Sequence, residues 1–202
     1  MLNLDDLSSY AETDPQDMRG RIRELPQQCA DAWAQVSAFE PPKAYRSARS
    51  VVVVGMGGSA IGGALVSALV APEAGVPILS AGGYALPAHV GSDTLVIASS
   101  YSGNTEETLA LTRQAMEQGA QILPVTTGGE LGTLAQENGW PVIRFAYPSQ
   151  PRAALGYSFT LLLGALSQAS LVRDYSDDLD EAVAVMEDRQ RDLVPETGTD
   201  DN

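Results

Sequence analysis

One cysteine, one histidine and one lysine are all that 202 residues hold of those three types. Cys29 alone can form no internal disulfide and no cysteine cluster, which points to a reducing compartment, with the cytoplasm as the default. With His89 as the sole histidine, a cysteine–histidine metal site has no ligand cluster, and no Ser-Asp-His chain order can be completed. Positive charge is equally scarce: 12 Lys and Arg against 26 Asp and Glu give a formal net charge of -14. Nucleic acid and anionic membranes are bound through basic surface, so neither partner is expected. No long hydrophobic run exists either. The most apolar stretch, residues 159–166, contains Thr160 and Gly164 and falls far short of the ~18 residues of a membrane span. The opening MLNLDDLSSY carries acids where a secretory signal carries a basic region. Lys43 sits in no phosphate-loop context, and the frame around Ser59 ends at Ile61 instead of the glycine of a nucleophile elbow.

What remains is an ordinary globular composition, 44% hydrophobic, long enough for one full domain with flanking helices. Asp14 followed by Pro15 reads as an N-cap and first helical residue. Met18, Ile22, Leu25, Cys29, Trp33 and Val36 then form one apolar helical face, which Pro26 should kink or break. From Ser50 the pattern changes. Residues 51–54, 77–80, 94–98, 121–125 and 141–145 read as five buried strands, and 60–70, 105–118 and 131–138 as the helices between them. Such alternation predicts a doubly wound, five-stranded parallel sheet with helices on both faces and an extra N-terminal helix. Residues 153–171 form a helix too uniformly apolar for a broad solvent face, expected to pack under another helix or against a partner subunit. Residues 177–193 form a last amphipathic helix, stopped by Pro195 and followed by a linker-like tail. The expected organisation is a helical segment over 1–45, a ligand-binding domain over 46–173, and a terminal helix with linker over 174–202.

Two segments carry chemistry. VVVVGMGGSAIGG, residues 51–63, runs a strand into glycines and then a helix, so backbone amides and the Ser59 hydroxyl can approach an anion. Gly55, Gly57 and Ala60 also satisfy a relaxed dinucleotide fingerprint, but that reading requires an acid at the end of the second strand. The residues there, Leu79 to Gly83, include none. ASSYSGNTEET, residues 98–108, again follows a strand and opens a helix. Ser100, Ser102 and Thr105 place three hydroxyls around a turn containing Gly103 and Asn104, a cradle for phosphate oxygens.

GMGGSAIGG together with SYSGNTEET resembles the signature of the sugar isomerase (SIS) domain. QPRAALGYSF, residues 150–159, resembles the segment after the fifth strand in bifunctional phosphoglucose/phosphomannose isomerases. The resemblance covers residues 51–171 and implies an SIS-type, flavodoxin-like sheet. It implies that Gly58, Ser59, Ser100, Ser102, Thr105 and Arg152 bind substrate, with Arg152 near the sugar as a stabiliser of the enediolate oxygen. The implied chemistry is aldose–ketose isomerisation of glucose 6-phosphate or mannose 6-phosphate to fructose 6-phosphate through a cis-enediol, without metal or cofactor. A homodimer is implied as well. In that family the catalytic glutamate and histidine lie in a second SIS domain, and no matching segment occurs here. The expectation is therefore the N-terminal half of an isomerase, with no catalytic base or acid of its own and with His89 a loop residue. A sugar-phosphate-sensing regulatory module is the alternative, although a basic helix-turn-helix is missing from the first 50 residues.

Overall fold

Four consecutive valines, residues 51–54, are fully buried, which is possible only for a strand covered on both faces. In the computed structural model, which describes residues 5–194, 196 and 197, they belong to an inner strand of a five-stranded sheet. The elements run α1 (Ser8–Thr13), α2 (Met18–Arg23), α3 (Leu25–Ser37), β1 (Ser50–Val54), α4 (Gly57–Val70), β2 (Ile78–Ala81) and β3 (Thr94–Ser100). They continue with α5 (Glu106–Glu117), β4 (Gln121–Thr126), α6 (Gly129–Asn138), β5 (Ile143–Arg144), α7 (Leu155–Gln168) and α8 (Ser176–Arg189), with 3-10 turns at Lys43–Ser47 and Pro151–Ala153. Every pairing is parallel and the strand order is β2-β1-β3-β4-β5. The doubly wound parallel fold expected from the alternation is present, with the flavodoxin-like strand order that the resemblance implies.

The side-chain period of two divides the core. Val51, Val53, Leu95, Ile97, Leu123 and Val125 share one face with α3, α4 and α7, through Val36, Val66 and Leu161. Val52, Val54, Val96, Ala98 and Ile122 share the other with α5 and α6, through Leu111 and Leu131. Helix α7, the uniformly apolar one, lies against both α3 and α4, so the helical segment before the sheet supplies its cover. The contact is close: a Cβ on Gly164 would stand 2.1 Å from Val36 Cγ1.

Element ends depart from the expected ones for local reasons. Asp14 does not begin a helix. Its carboxylate accepts from the amides of Met18 and Arg19, at 2.8 Å each, which holds its pKa below the ordinary value. Asp17, at φ 52, is the N-cap of α2 instead. Pro26 separates α2 from α3 by taking an early position in α3, where its missing N–H costs nothing. The apolar segment at 153–171 starts as the Pro151–Ala153 turn and becomes α-helical only from Leu155. Helix α8 buries Leu179 alone. Its start is held by Arg173, which pairs with Glu73 at 3.2 Å and with Asp178 at 2.5 Å and lies over the Tyr175 ring. The Tyr175 hydroxyl donates to Glu73. The expected stop at Pro195 and the tail at 198–202 lie outside the described residues. Among the described residues no helix is long and apolar enough to cross a membrane.

Gly164→Ala is expected to destabilise the fold by about 1–3 kcal/mol in denaturant unfolding, because Val36 is buried and stiff. Combined with Val36→Ala it should lose less than the sum of the two single losses. Additive losses would place the crowding elsewhere.

Candidate functional site

From β1 the chain turns out to β2 on one side and returns to β3 on the other, so the C-terminal ends of β1 and β3 lie side by side, with Val54 opposite Ala98. Such a reversal is where doubly wound sheets open a crevice. The loop after β1 passes close to β3, since a Cβ on Gly55 would meet Ser99 O at 2.9 Å. Helix α4 begins at Gly57, so Gly58 and Ser59 belong to its first turn, and Met56 offers no side-chain cap to the amides there. Ser59 is 7% exposed, and its Oγ accepts from the Tyr101 amide at 3.2 Å. The two sequence motifs thus meet in a direct hydrogen bond.

The second loop is folded on its own hydroxyls. Ser100, only 2% exposed, accepts from the Gly103 amide at 3.1 Å and shares a hydrogen bond with Thr105 Oγ1 at 3.0 Å. Its role visible here is to shape the turn and orient Thr105. Ser102 is exposed and its Oγ accepts from the Asn104 amide at 3.2 Å, which leaves the hydroxyl proton free to donate. Thr105 is the N-cap of α5, yet its side chain does not reach the first-turn amides. A third loop, after β4, buttresses the second. Thr127 donates its amide (3.1 Å) and its hydroxyl (2.7 Å) to Tyr101 O, Leu131 N donates to Gly103 O at 2.9 Å, and Glu130 N donates to Asn104 Oδ1 at 2.9 Å.

Arg152 arrives from the far end of the chain. The Pro151–Ala153 turn lies over Gly58, whose Cβ, if it had one, would stand 2.9 Å from Pro151 O and 3.2 Å from Arg152 Cα. The Arg152 side chain is exposed. Between these loops lies a void of ≈ 10 Å³ lined by Ser59, Ser99, Tyr101, Phe145, Pro151 and Ser158, room for about one water. Grooves of ≈ 410 Å³ lie elsewhere, beside α8. They are walled mainly by apolar side chains such as Leu69, Phe159 and Leu179, and the donors at one of them, Arg173 and Tyr175, are engaged by Glu73 and Asp178, so the loop crest is the better site despite its small void. At the rim, desolvation and then the Glu106 and Glu107 carboxylates raise the Tyr84 phenol above its usual pKa. His89 is exposed on the turn before β3, and no cluster able to hold a metal occurs among the described residues.

The structure therefore brings Gly58, Ser59, Ser100, Ser102, Thr105 and the Arg152 backbone to one edge of the sheet. Sequence reasoning passed over Tyr101 and Thr127 and read Asn104 only as a turn residue, yet all three tie the loops together. For Tyr101 a signal was available: it continues the alternation Leu95, Ile97, Ser99, the residues of β3 that share a face.

Residues 44–169 match the SIS domain family. The bifunctional phosphoglucose/phosphomannose isomerase of Caldicellulosiruptor bescii is 45% identical over 152 residues, covering 75% of this chain and 45% of that protein. The D-glucosamine-6-phosphate 4-epimerase of Sulfolobus acidocaldarius is 35% identical over 126 residues, covering 62% of this chain and 40% of that protein. The solved tagatose-6-phosphate ketose/aldose isomerase from Escherichia coli superposes with a TM-score of 0.62 at 16% identity, over 85% of this chain and 53% of that one; at such identity the likeness is one of fold. The chain spans less than half the length of these two sequence relatives.

Two glycines with left-handed backbones separate strain from contact. Gly103 has φ +71 and a Cβ position 1.9 Å from Gly128 O, whereas Gly119 has φ +73 and open space. Both alanine variants carry the backbone strain of about 1–3 kcal/mol, and Gly103→Ala should cost clearly more in denaturant unfolding. Equal losses would show that the approach of the second and third loops contributes nothing.

Proposed function

The chain belongs to the SIS domain family, and from that premise we propose that it holds the phosphate of a sugar phosphate at the C-terminal edge of β1 and β3. It serves in this way an aldose–ketose isomerase interconverting glucose 6-phosphate or mannose 6-phosphate with fructose 6-phosphate. The observation that carries the reading is the Tyr101 N–H to Ser59 Oγ bond, because it ties the first turn of α4 to the loop that opens α5, two helix starts without side-chain caps. First-turn amides and the positive ends of two helix dipoles favour an anion there. The hydroxyls of Ser59, Ser102 and Thr105 add donors, and Ser100 keeps the turn in shape. A dianion bound by several such charge-assisted hydrogen bonds, each contributing about 1.5–3 kcal/mol, reaches millimolar to micromolar affinity.

The isomerisation moves the C2 proton of the aldose to C1 while the C2 oxygen becomes the carbonyl. Negative charge develops on the enediolate oxygen in between. Arg152, on the turn against Gly58 and Ser59, supplies a fixed positive charge that stabilises that oxygen more than the neutral sugar. The acid–base pair is assigned to no described residue of this chain; the family resemblance assigns it to a second SIS domain. A homodimer working in the cytoplasm fits the same reading.

Calorimetric titration with glucose 6-phosphate, mannose 6-phosphate and glucosamine 6-phosphate tests the reading and ranks the sugars. Ser59→Ala or Thr105→Ala should weaken each by about ten- to a hundredfold, and glucose without phosphate should not bind. Absence of binding for all three phosphates overturns the proposal. Since a phosphate monoester takes up its second proton near pH ~6, affinity should fall between pH 7 and pH 5 as the dianion is lost. A flat profile would argue against dianion recognition.

A further inference from the structure

Between β5 and α7 the chain is irregular apart from the three-residue turn that carries Arg152, so the position of Arg152 must be fixed from outside that segment. The contacts that do so are few and specific. Ser149 donates its amide to the Tyr101 hydroxyl at 3.0 Å. That hydroxyl lies 2.9 Å from Ser149 O and also bonds Tyr147 O. A phenol suits the position because it accepts and donates at once. The Tyr101 ring packs edge-on against Phe145, with centroids 5.9 Å apart. On the other side of the turn Gln28, 2% exposed, donates to Ala153 O and to Tyr147 Oη at 3.0 Å each and accepts from Gly156 N at 3.2 Å. Arg152 lies between these two anchors, with its turn also packed on Gly58 and with Gln150 donating to Gln16 Oε1 at 2.7 Å.

Tyr101 also belongs to the loop between Ser100 and Ser102. Its amide holds Ser59 and its carbonyl takes both donors of Thr127. We infer that Tyr101 is a positioning residue for Arg152: its phenol fastens the arginine-bearing segment to the phosphate loop, so the guanidinium stands at a set distance from the bound phosphate. The inference rests on the reading of the site given above and deepens it. Phosphate oxygens alone are held by the loops after β1 and β3, whereas recognition of the sugar beyond the phosphate depends on the Tyr101 hydroxyl.

Tyr101→Phe keeps the ring and both backbone bonds while removing the phenolic oxygen. Glucose 6-phosphate affinity, measured by calorimetry, is expected to fall about two- to tenfold in Tyr101→Phe and about ten- to a hundredfold in Arg152→Ala. The double variant should bind no worse than Arg152→Ala alone, because the phenol acts through the arginine. Inorganic phosphate, titrated into the same variants, should bind Tyr101→Phe about as it binds the parent chain. Additive losses in the double variant, or an equal loss of inorganic phosphate, would overturn the inference by showing general damage to the loops. Hydrogen exchange without ligand gives an independent reading. The Ser149 amide should exchange faster in Tyr101→Phe, and unchanged protection would defeat the positioning role by itself. An Arg152→Ala variant that binds glucose 6-phosphate normally would defeat the positioning role alone, since the phosphate loops would still hold the ligand, whereas failure of the parent chain to bind any sugar phosphate would defeat the reading of the site.

Discussion

A single hydrogen bond, from the Tyr101 amide to the Ser59 hydroxyl at 3.2 Å, decides how the loops of this fold relate to one another. It is possible because the chain reverses direction across β1, which leaves β1 and β3 adjacent and parallel. The sheet supplies the rigid part of that arrangement: its valines are packed on both faces and cannot shift without opening two cores. The bond supplies the last step, turning two neighbouring strand ends into one surface. Thr127 and Asn104 extend the surface to the loop after β4, and Tyr101 itself extends it toward Arg152.

An anion site proposed on an acidic protein looks contradictory, and the distribution of charge resolves it. Between residues 51 and 81 the only acid is Glu73. It lies beyond the C-terminal end of α4, about 20 Å from the helix start at ~1.5 Å per residue, well past the ~8 Å screening length at physiological salt. There it is engaged by Arg173 and Tyr175. The local field at the loops therefore draws on helix dipoles and backbone amides, which composition does not register. The first-turn acids of α5, Glu106 and Glu107, oppose an anion there, and they also favour the helix start that provides the amides.

Strands and their order of appearance were legible because runs such as VVVV and TLVIAS leave no polar face. Their ends were not. Strand β5 shrinks to Ile143–Arg144, since Pro141 has no N–H for a ladder. Helices α4 and α6 start at Gly57 and Gly129, earlier than expected, because glycines read as loop when they open a helix. The hydroxyl motif was legible as a group, but the separate job of Ser100 inside the turn was not, since spacing does not reveal which oxygens face inward. Gln28 was invisible. A glutamine on a helix reads as solvent-facing, and only the carbonyl of Ala153 and the amide of Gly156, more than a hundred residues away, explain its burial.

Helix α8 has a different standing from the rest. Leu179 is its one buried residue, and the ion pairs of Arg173 that hold its start are half-exposed, with 48% of the arginine side chain accessible. Such pairs weaken with salt and contribute little individually. The main contact of α8 is with α3 and not with the sheet. Helix α8 is thus the part of the fold able to open as a separate cooperative unit, so the protein can fray at its last helix while the loops around Ser59 and Tyr101 stay assembled.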